Sequence, residues 1–211
     1  MNTKQIYEKY SIPKNLQEHM LRVASLAKII VENWNGPRIN SKAIIQACLF
    51  HDIAKPIIFD LTKQNQFKIS QDEIAGLRKL QLYLKKRYGN NEYDATVEVC
   101  KEIGCSSNTI QILSKIKWSN TVSLLKKGDF TTLIAIYGDM RIGPKGILTL
   151  IQRVEDLKTR TGKKGKYEIS GTKLENLIKK YVSVDLSKIN DKDINQNFDY
   201  LENVNLLNPS G

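Results

Sequence analysis

Apolar residues recur at intervals of three and four along most of the chain, the spacing that places side chains on one face of an α-helix. The clearest case runs from about Lys14 to Trp34, with apolar positions at Leu16, Met20, Val23, Ala27, Ile30 and Val31. Pro13 favours a start here, because proline is tolerated in the first helical turn. Asn35-Gly36-Pro37 is a turn sequence, and it predicts the end of this long amphipathic helix.

The same spacing predicts further helices downstream. Asn40-Ser41 is typical of a helix start, and Ser70 to Glu73 form a capping-box pattern that begins a helix ending near Tyr88. Other helices are expected over residues 92–103, 106–116, 131–141, 146–161 and 171–181, and a short segment around 121–126 precedes Gly128. Residues 57–67 fit no element, and the β-branched residues of 131–141 leave a strand open as an alternative there.

The arrangement of these elements predicts an all-α protein, since the chain shows neither alternating strands and helices nor an internal repeat. We expect one helical domain from residue 1 to about residue 182. Residues 183–211 are rich in Asn and Asp. Such a composition buries little apolar surface, so we expect an extended or partly disordered polar tail.

Charge adds a preference for anionic ligands. Lysine and arginine number 33 against 22 aspartate and glutamate, for a net charge of +11. This excess attracts nucleotides, nucleic acid or acidic membrane surfaces without choosing among them, and a solvated lysine-rich surface explains it equally well. No nucleic-acid reading motif and no Gly-rich phosphate loop occurs in the sequence. Nucleic acid therefore stays an alternative partner that no motif supports.

The spacing of the cysteines and the hydropathy of the chain indicate the cellular compartment. Cys48, Cys100 and Cys105 form neither a CxxC motif nor a paired framework, which is typical of a reducing compartment. The first residues are too polar for a signal peptide, and no apolar run approaches about 18 residues. We expect a cytoplasmic protein that does not contact membranes; its oligomeric state is left open.

Four polar residues on apolar helical faces are the candidates for chemistry. The chain has two histidines, and both lie three or four residues from apolar positions of their predicted helices. Asp52 directly follows His51, and Asp139 lies in the apolar segment 131–141. Burying both aspartates without partners would be costly, and imidazole nitrogen and carboxylate oxygen both suit a divalent ion. We therefore predict one metal site formed by His19, His51, Asp52 and Asp139.

These residues also resemble a known family. His19, then HDIAKP at 51–56 and YGDMR at 137–141, on a helical chain, resemble the HD-domain metal-dependent phosphohydrolase superfamily over residues 14–155. The resemblance implies a compact HD-like helical bundle that binds one or two divalent ions and hydrolyses phosphate esters, commonly of nucleotides. The metal-ligand positions that it implies are His19, His51, Asp52 and Asp139. The ion could be Mn, Fe, Co, Ni, Zn or Mg.

Two departures from the family pattern bear on mechanism. Relatives with two metals use further histidines, but none follows His51, and Tyr93 stands where such a histidine is expected. We therefore expect one divalent ion. Nucleotidase-like relatives carry an acid shortly after the HD pair, whereas this chain has Lys55, as in the HDxxK variants. An ammonium there would meet the substrate phosphate as an electrostatic clamp.

The general base has no obvious place in the sequence. Asp60, Asp72 and Asp94 all qualify, and the spacing does not choose between them; we carry Asp94 forward, with Lys55, as catalytic candidates. The candidate contacts to substrate are Arg22, Lys55, Arg141 and Lys145.

The function predicted from the sequence is hydrolysis of a phosphate ester, of a nucleotide or a related small molecule, with a divalent ion. The alternative is a non-catalytic HD-like module that binds a nucleotide or a signalling phosphate.

Overall fold

The computed structural model describes residues 1–62, 70–144, 146–161 and 167–205, and most of these residues lie in α-helices. The helices are α1 (Thr3–Lys9), α2 (Lys14–Glu32), α3 (Ser41–Phe50), α4 (Gln71–Tyr88), α5 (Glu92–Glu102), α6 (Ser107–Leu113), α7 (Thr121–Lys127), α8 (Phe130–Arg141), α9 (Leu150–Thr161), α10 (Tyr167–Tyr181), α11 (Asp191–Asn195) and α12 (Phe198–Asn203). Two short strands, β1 (Ile142–Gly143) and β2 (Gly146–Ile147), pair antiparallel after α8. The prediction of an all-α fold is confirmed.

Side-chain caps explain why several helices begin where the sequence predicts. The Ser70 hydroxyl accepts a hydrogen bond from the Glu73 backbone N–H, and the Glu73 carboxylate accepts one from the Ser70 backbone N–H. The capping box of α4 is therefore present. Asn40 and Ser106 cap α3 and α6 through their side-chain oxygens in the same position. Such caps satisfy backbone donors that have no partner inside the helix.

Two helix starts differ from the prediction by four residues each. Helix α9 begins at Leu150 instead of near Gly146, because Gly146–Ile147 is paired with Ile142–Gly143 in the hairpin. Helix α10 begins at Tyr167, before the expected start near Gly171. The strand alternative for residues 131–141 is excluded, since this segment is helical from Phe130 to Arg141.

The centre of the core lies among α2, α3 and α8, which pack against one another. Ile30, Ile44 and Ile134 are fully buried there. Helix α8 contacts α2 closely at Gly138, where an added Cβ would lie 3.4 Å from the carbonyl oxygen of Val23. Since Asp139 follows Gly138, this contact brings its carboxylate against the helix that carries His19.

The C-terminal segment is folded where it is described. Helices α11 and α12 pack against α2, and α12 also contacts α1. Ile194 and Leu201 are fully buried, and the Ser25 hydroxyl donates a hydrogen bond to the Ile194 carbonyl at 2.6 Å. The expectation of an extended or partly disordered tail is therefore wrong for residues 183–205.

The physical reason is that a few apolar anchors suffice for docking. The Asn- and Asp-rich composition correctly indicates a solvated outer face, but Ile194 and Leu201 point inward from it. One of the asparagines, Asn190, caps α11 through its side chain. The division of the chain into domains at residue 182 stays a prediction.

Within the described ranges, no helix is both long and apolar enough to cross a membrane.

Truncation of a tail anchor tests the docking of this segment. Ile194 is fully buried, so Ile194→Ala should lower the free energy of unfolding by about 2–5 kcal/mol, the usual cost of truncating a core isoleucine. Ile151→Ala is the matched control, because Ile151 is 66% exposed on α9. It should change stability by less than about 0.5 kcal/mol. Equal small effects in denaturant unfolding would show that the tail does not pack on α2.

Candidate metal centre

Three side chains from separate parts of the fold meet at one point. The His19 Nε2 atom, on α2, lies 3.2 Å from Asp139 Oδ1, on α8. The His51 Nε2 atom, at the end of α3, lies 3.5 Å from the same oxygen. One ligand atom from each of the three residues lies within 4.8 Å of the others, so the group could hold a metal ion.

Asp52 lies beside this group. Its Oδ2 atom is 3.9 Å from His19 Nε2 and 3.8 Å from His51 Nε2. Donors bound tetrahedrally at about 2.0–2.2 Å from an ion are separated by about 3.4 Å from one another. The distances that join the two imidazoles to the two carboxylates, 3.2–3.9 Å, are close to that value. The role of Asp52 as a fourth ligand stays a prediction.

The orientation of His51 fits a metal ligand. Its Nδ1 atom lies 2.8 Å from the Cys48 carbonyl oxygen, so this nitrogen carries a proton and donates. The Nε2 atom is buried and has no hydrogen-bond partner among the described residues. Leaving a buried polar atom without a partner is costly. An imidazole held by a backbone carbonyl at one nitrogen, with the other directed at carboxylates, is the usual arrangement of a metal-binding histidine.

The two carboxylates shift the protonation equilibria of the centre. Burial lowers the pKa of His51, but the charges of Asp52 and Asp139 outweigh burial and raise this pKa to about 9. Burial raises the pKa of Asp139, but the imidazoles of His19 and His51, both within 3.5 Å of its Oδ1 atom, hold it well below its usual range. The centre therefore favours bound positive charge, either as a proton on His51 or as a cation between the four side chains.

The segment after α3 is held firmly in place. Helix α3 ends at Phe50, and residues 51–54 form turns that lead into a 3-10 turn at Lys55–Ile58. The Tyr7 hydroxyl donates to the Leu49 carbonyl at 2.7 Å. The apolar side chains that anchor the segment are Ile53, Ala54, Pro56 and Ile57, all buried. This packing leaves His51 buried and Asp52 half-buried at the centre.

Lys55 contacts the centre through the other oxygen of Asp52. Its Nζ atom lies 3.4 Å from Asp52 Oδ1 and 3.8 Å from Glu92 Oε1. Burial lowers the pKa of Lys55, but the charges of Asp52 and Glu92 outweigh burial and raise it, so the ammonium is charged at neutral pH. Burial raises the pKa of Glu92, and the charge of Lys55 opposes that shift.

Glu92 is the residue near the centre that sequence reasoning missed. It begins α5, with its side chain only 13% exposed. The helical spacing contains the signal, because Glu92 precedes the buried residues Ala95, Thr96 and Val99 by three, four and seven positions. Those intervals place it on the inward face of α5.

The structure does not bring Asp94 to the centre. Asp94 is exposed and does not line the cleft that leads to the metal-binding residues. It lies two positions after Glu92, which turns it towards the outer face of α5. Asp72 is also exposed outside the cleft, whereas Asp60 lines it and accepts a hydrogen bond from the Thr62 hydroxyl at 2.6 Å. The prediction of Asp94 as a catalytic residue is therefore not supported by its position.

Arg141, a predicted substrate contact, lies in the core and does not line the cleft. It is 3% exposed. Its guanidinium donates to the Leu148 carbonyl, to the Tyr137 hydroxyl and, at 3.0 Å, to the Leu186 carbonyl. These bonds join the end of α8 to the chain beyond the hairpin and to the C-terminal segment. Its position two residues after Asp139 suggested a substrate contact, but the side chain turns into the core.

The other two substrate-binding candidates are Arg22 and Lys145. Arg22 lines the cleft one turn after His19. Its guanidinium donates to Asp191 of α11 and lies 3.6 Å from Glu18, and Asp191 also accepts the Ile147 backbone N–H at 3.1 Å. Lys145 lies outside the described residues.

A cleft of about 2000 Å³ extends from the centre. His19, His51, Asp52, Lys55 and Asp139 all line it. Further basic side chains along its walls are Lys9, Lys14, Arg22, Lys79, Arg87, Lys117 and Arg153. This volume exceeds the roughly 300–1,000 Å³ of a typical small-molecule pocket. The cleft is therefore open enough for an anionic ligand to reach the metal-binding residues.

Residues 16–113 match the family model of the HD domain. This segment is similar to HD domains. The matched segment includes His19, His51, Asp52 and Lys55, whereas Asp139 lies beyond its end. Comparison with curated proteins and with solved structures found no match. The resemblance predicted from the sequence is confirmed for residues 16–113. The candidate metal-binding group joins His19 and His51 of this segment to Asp139 of helix α8.

Removing one of the candidate ligands should abolish tight metal binding. His51→Ala and Asp139→Asn should each weaken Mn²⁺ or Zn²⁺ binding by more than about 100-fold. Loss of a residue that only hydrogen-bonds to a metal ligand typically weakens binding by about 10–100-fold, and loss of a ligand itself should cost more. Isothermal titration calorimetry measures the affinity, and circular dichroism verifies the fold. Asp94→Asn is the matched control and should bind as the wild type does. Unchanged affinity in His51→Ala would contradict the centre.

Metal binding should also strengthen as the pH rises. Below a pKa of about 9, His51 of the metal-free protein carries an extra proton, which must leave before the imidazole can bind an ion. The apparent affinity should therefore rise by about tenfold per pH unit from about pH 7 upwards, and level off near pH 9. Calorimetry in buffers of different ionisation enthalpy would count the released protons. An affinity independent of pH over this range would contradict the assignment.

Proposed function

We propose that the protein is a metal-dependent phosphohydrolase that acts on a phosphate ester, of a nucleotide or a related small molecule. The observation that carries this proposal is the convergence of His19, His51 and Asp139 on one point. HD domains are generally metal-dependent hydrolases, and this chain retains suitable donors at the point where a metal is needed.

His19, His51 and Asp139 would hold the ion, with Asp52 as the predicted fourth ligand. The mixed imidazole and carboxylate donors suit Mn, Fe, Co, Ni or Zn better than Mg, which prefers oxygen. When bound, the ion supplies a Lewis acid that neutralises charge on a phosphoryl oxygen and lowers the pKa of a bound water. The chain's own residues supply substrate binding and orientation.

Lys55 would meet the phosphate of the substrate. Its side chain is 35% exposed and lines the cleft, while its ammonium stays within 3.4 Å of Asp52. A charged group held in position before the substrate arrives needs little reorganisation to stabilise developing negative charge. The basic residues along the cleft would raise the local concentration of anions.

Aromatic residues in the cleft favour a nucleotide among the phosphate esters. Tyr10, Tyr83, Tyr93 and Trp118 all line it. The Lys117 Nζ atom lies 4.3 Å from the centre of the Tyr93 ring, so a cation and an aromatic face occur together. Flat apolar rings beside cations suit a ligand that joins a base to a phosphate.

A substrate panel tests the proposal. Purified protein loaded with Mn²⁺, Co²⁺ or Zn²⁺ should hydrolyse at least one nucleotide mono- or diester, and chelation should stop the reaction. His51→Ala and Asp139→Asn should lower kcat/KM by about 100-fold or more, because each removes part of the charge-stabilising centre. Asp94→Asn should match the wild type.

A different result would favour the non-catalytic alternative. A nucleotide that raises the melting temperature by mass action, yet stays intact after prolonged incubation with each metal, would indicate a binding module. Turnover that persists in both ligand variants would reject the metal-dependent mechanism.

A further inference from the structure

Asp52 directs its two carboxylate oxygens at two different partners. The Oδ2 atom lies 3.8 Å from His51 Nε2 and 3.9 Å from His19 Nε2, on the metal-binding side. The Oδ1 atom accepts a hydrogen bond from Lys55 Nζ at 3.4 Å. A carboxylate in this position would bridge the metal ion and the ammonium.

Glu92 is the second carboxylate beside the Lys55 ammonium. Its Oε1 atom lies 3.8 Å from Lys55 Nζ, so the ammonium is held between carboxylates from two segments of the fold. The second oxygen, Oε2, is buried and has no hydrogen-bond partner within the part of the chain that the structure describes. The two carboxylates together carry more negative charge than one lysine neutralises.

The segments that carry Lys55 and Glu92 are both fixed. The Gln81 amide of α4 donates to three carbonyl oxygens, those of Pro56, Ile57 and Phe59, at 2.8–3.2 Å. These bonds hold the turn that begins at Lys55. Asn91 caps α5 immediately before Glu92. The ammonium is therefore placed by the fold and does not depend on a bound ligand.

We propose that Lys55 is an internal cation that takes the place of a second divalent ion beside the metal centre, and that Glu92 is the residue that positions it. In two-metal hydrolytic sites the ions lie about 3.5–4 Å apart and share the stabilisation of one phosphoryl group. Here Asp52 would be shared in the same way, with an ammonium on its second oxygen. This inference rests on the proposed metal centre.

The composition of the chain is consistent with this arrangement. Both of its histidines lie at the first metal position, so no imidazole remains for a second ion. A lysine supplies a positive charge on a covalently attached side chain that cannot leave the site, but it cannot activate a water molecule as a metal does. The consequence is a centre that takes one metal ion per chain.

Counting bound Mn²⁺ tests the inference without any measurement of activity. The wild type should bind one Mn²⁺ per chain. Lys55→Met removes the charge but keeps much of the side-chain length, and it should bind two, with magnetic coupling between the ions in the electron paramagnetic resonance spectrum. Lys55→Met/Glu92→Gln should return to one. Lys79→Met, which removes an exposed lysine that also lines the cleft, is the matched control and should bind one.

The contrary outcomes separate this inference from the proposed function. Two ions in the wild type, or only one in Lys55→Met at millimolar Mn²⁺, would overturn the inference and leave the metal centre standing. No Mn²⁺ in the wild type would overturn both. A second ion retained in the double variant would overturn the role of Glu92. Lys55→Gln provides the same test should Lys55→Met fail to fold.

Discussion

The crowding of two carboxylates against two imidazoles is the constraint on which this structure depends. Aspartates brought this close repel each other unless positive charge lies between them. In the metal-free protein that charge comes from a proton on His51, whose pKa rises to about 9 for this reason, and from the ammonium of Lys55. A divalent ion would replace the proton and leave the ammonium in place. Binding of a cation would therefore change the electrostatic balance of this part of the core.

Close packing of the helices at the centre of the core brings these side chains together. Helix α8 contacts α2 at Gly138, where an added Cβ would meet Val23 at 3.4 Å. This contact places Asp139 beside His19, while the end of α3 supplies His51 and Asp52. The polar group is thus built from residues at or next to positions of tight apolar contact. Rigid surroundings of this kind keep ligand atoms near the required geometry before an ion arrives.

Much of this organisation could be predicted from sequence, because it depends on local patterns. Helical spacing placed His19 and His51 on inward faces, and capping signals such as Ser70 located helix starts. The spacing does not choose among Asp60, Asp72 and Asp94, but it does favour Glu92, three and four residues before Ala95 and Thr96. The orientation of Arg141 could not be read locally, because its partners Leu148 and Leu186 come from later segments. The docked tail was missed because two buried residues, Ile194 and Leu201, outweigh a polar composition.

The contact of Asp191 with Arg22 links the end of the chain to the mouth of the cleft. Asp191 belongs to α11, and it accepts hydrogen bonds both from Arg22, one turn beyond His19, and from the backbone of Ile147. While α11 stays docked, this carboxylate neutralises a guanidinium at the rim. Undocking α11 would withdraw this carboxylate and leave Glu18, 3.6 Å away, as the acidic partner of Arg22, one turn from His19. The position of the last helices therefore sets the electrostatic potential that an incoming anion meets.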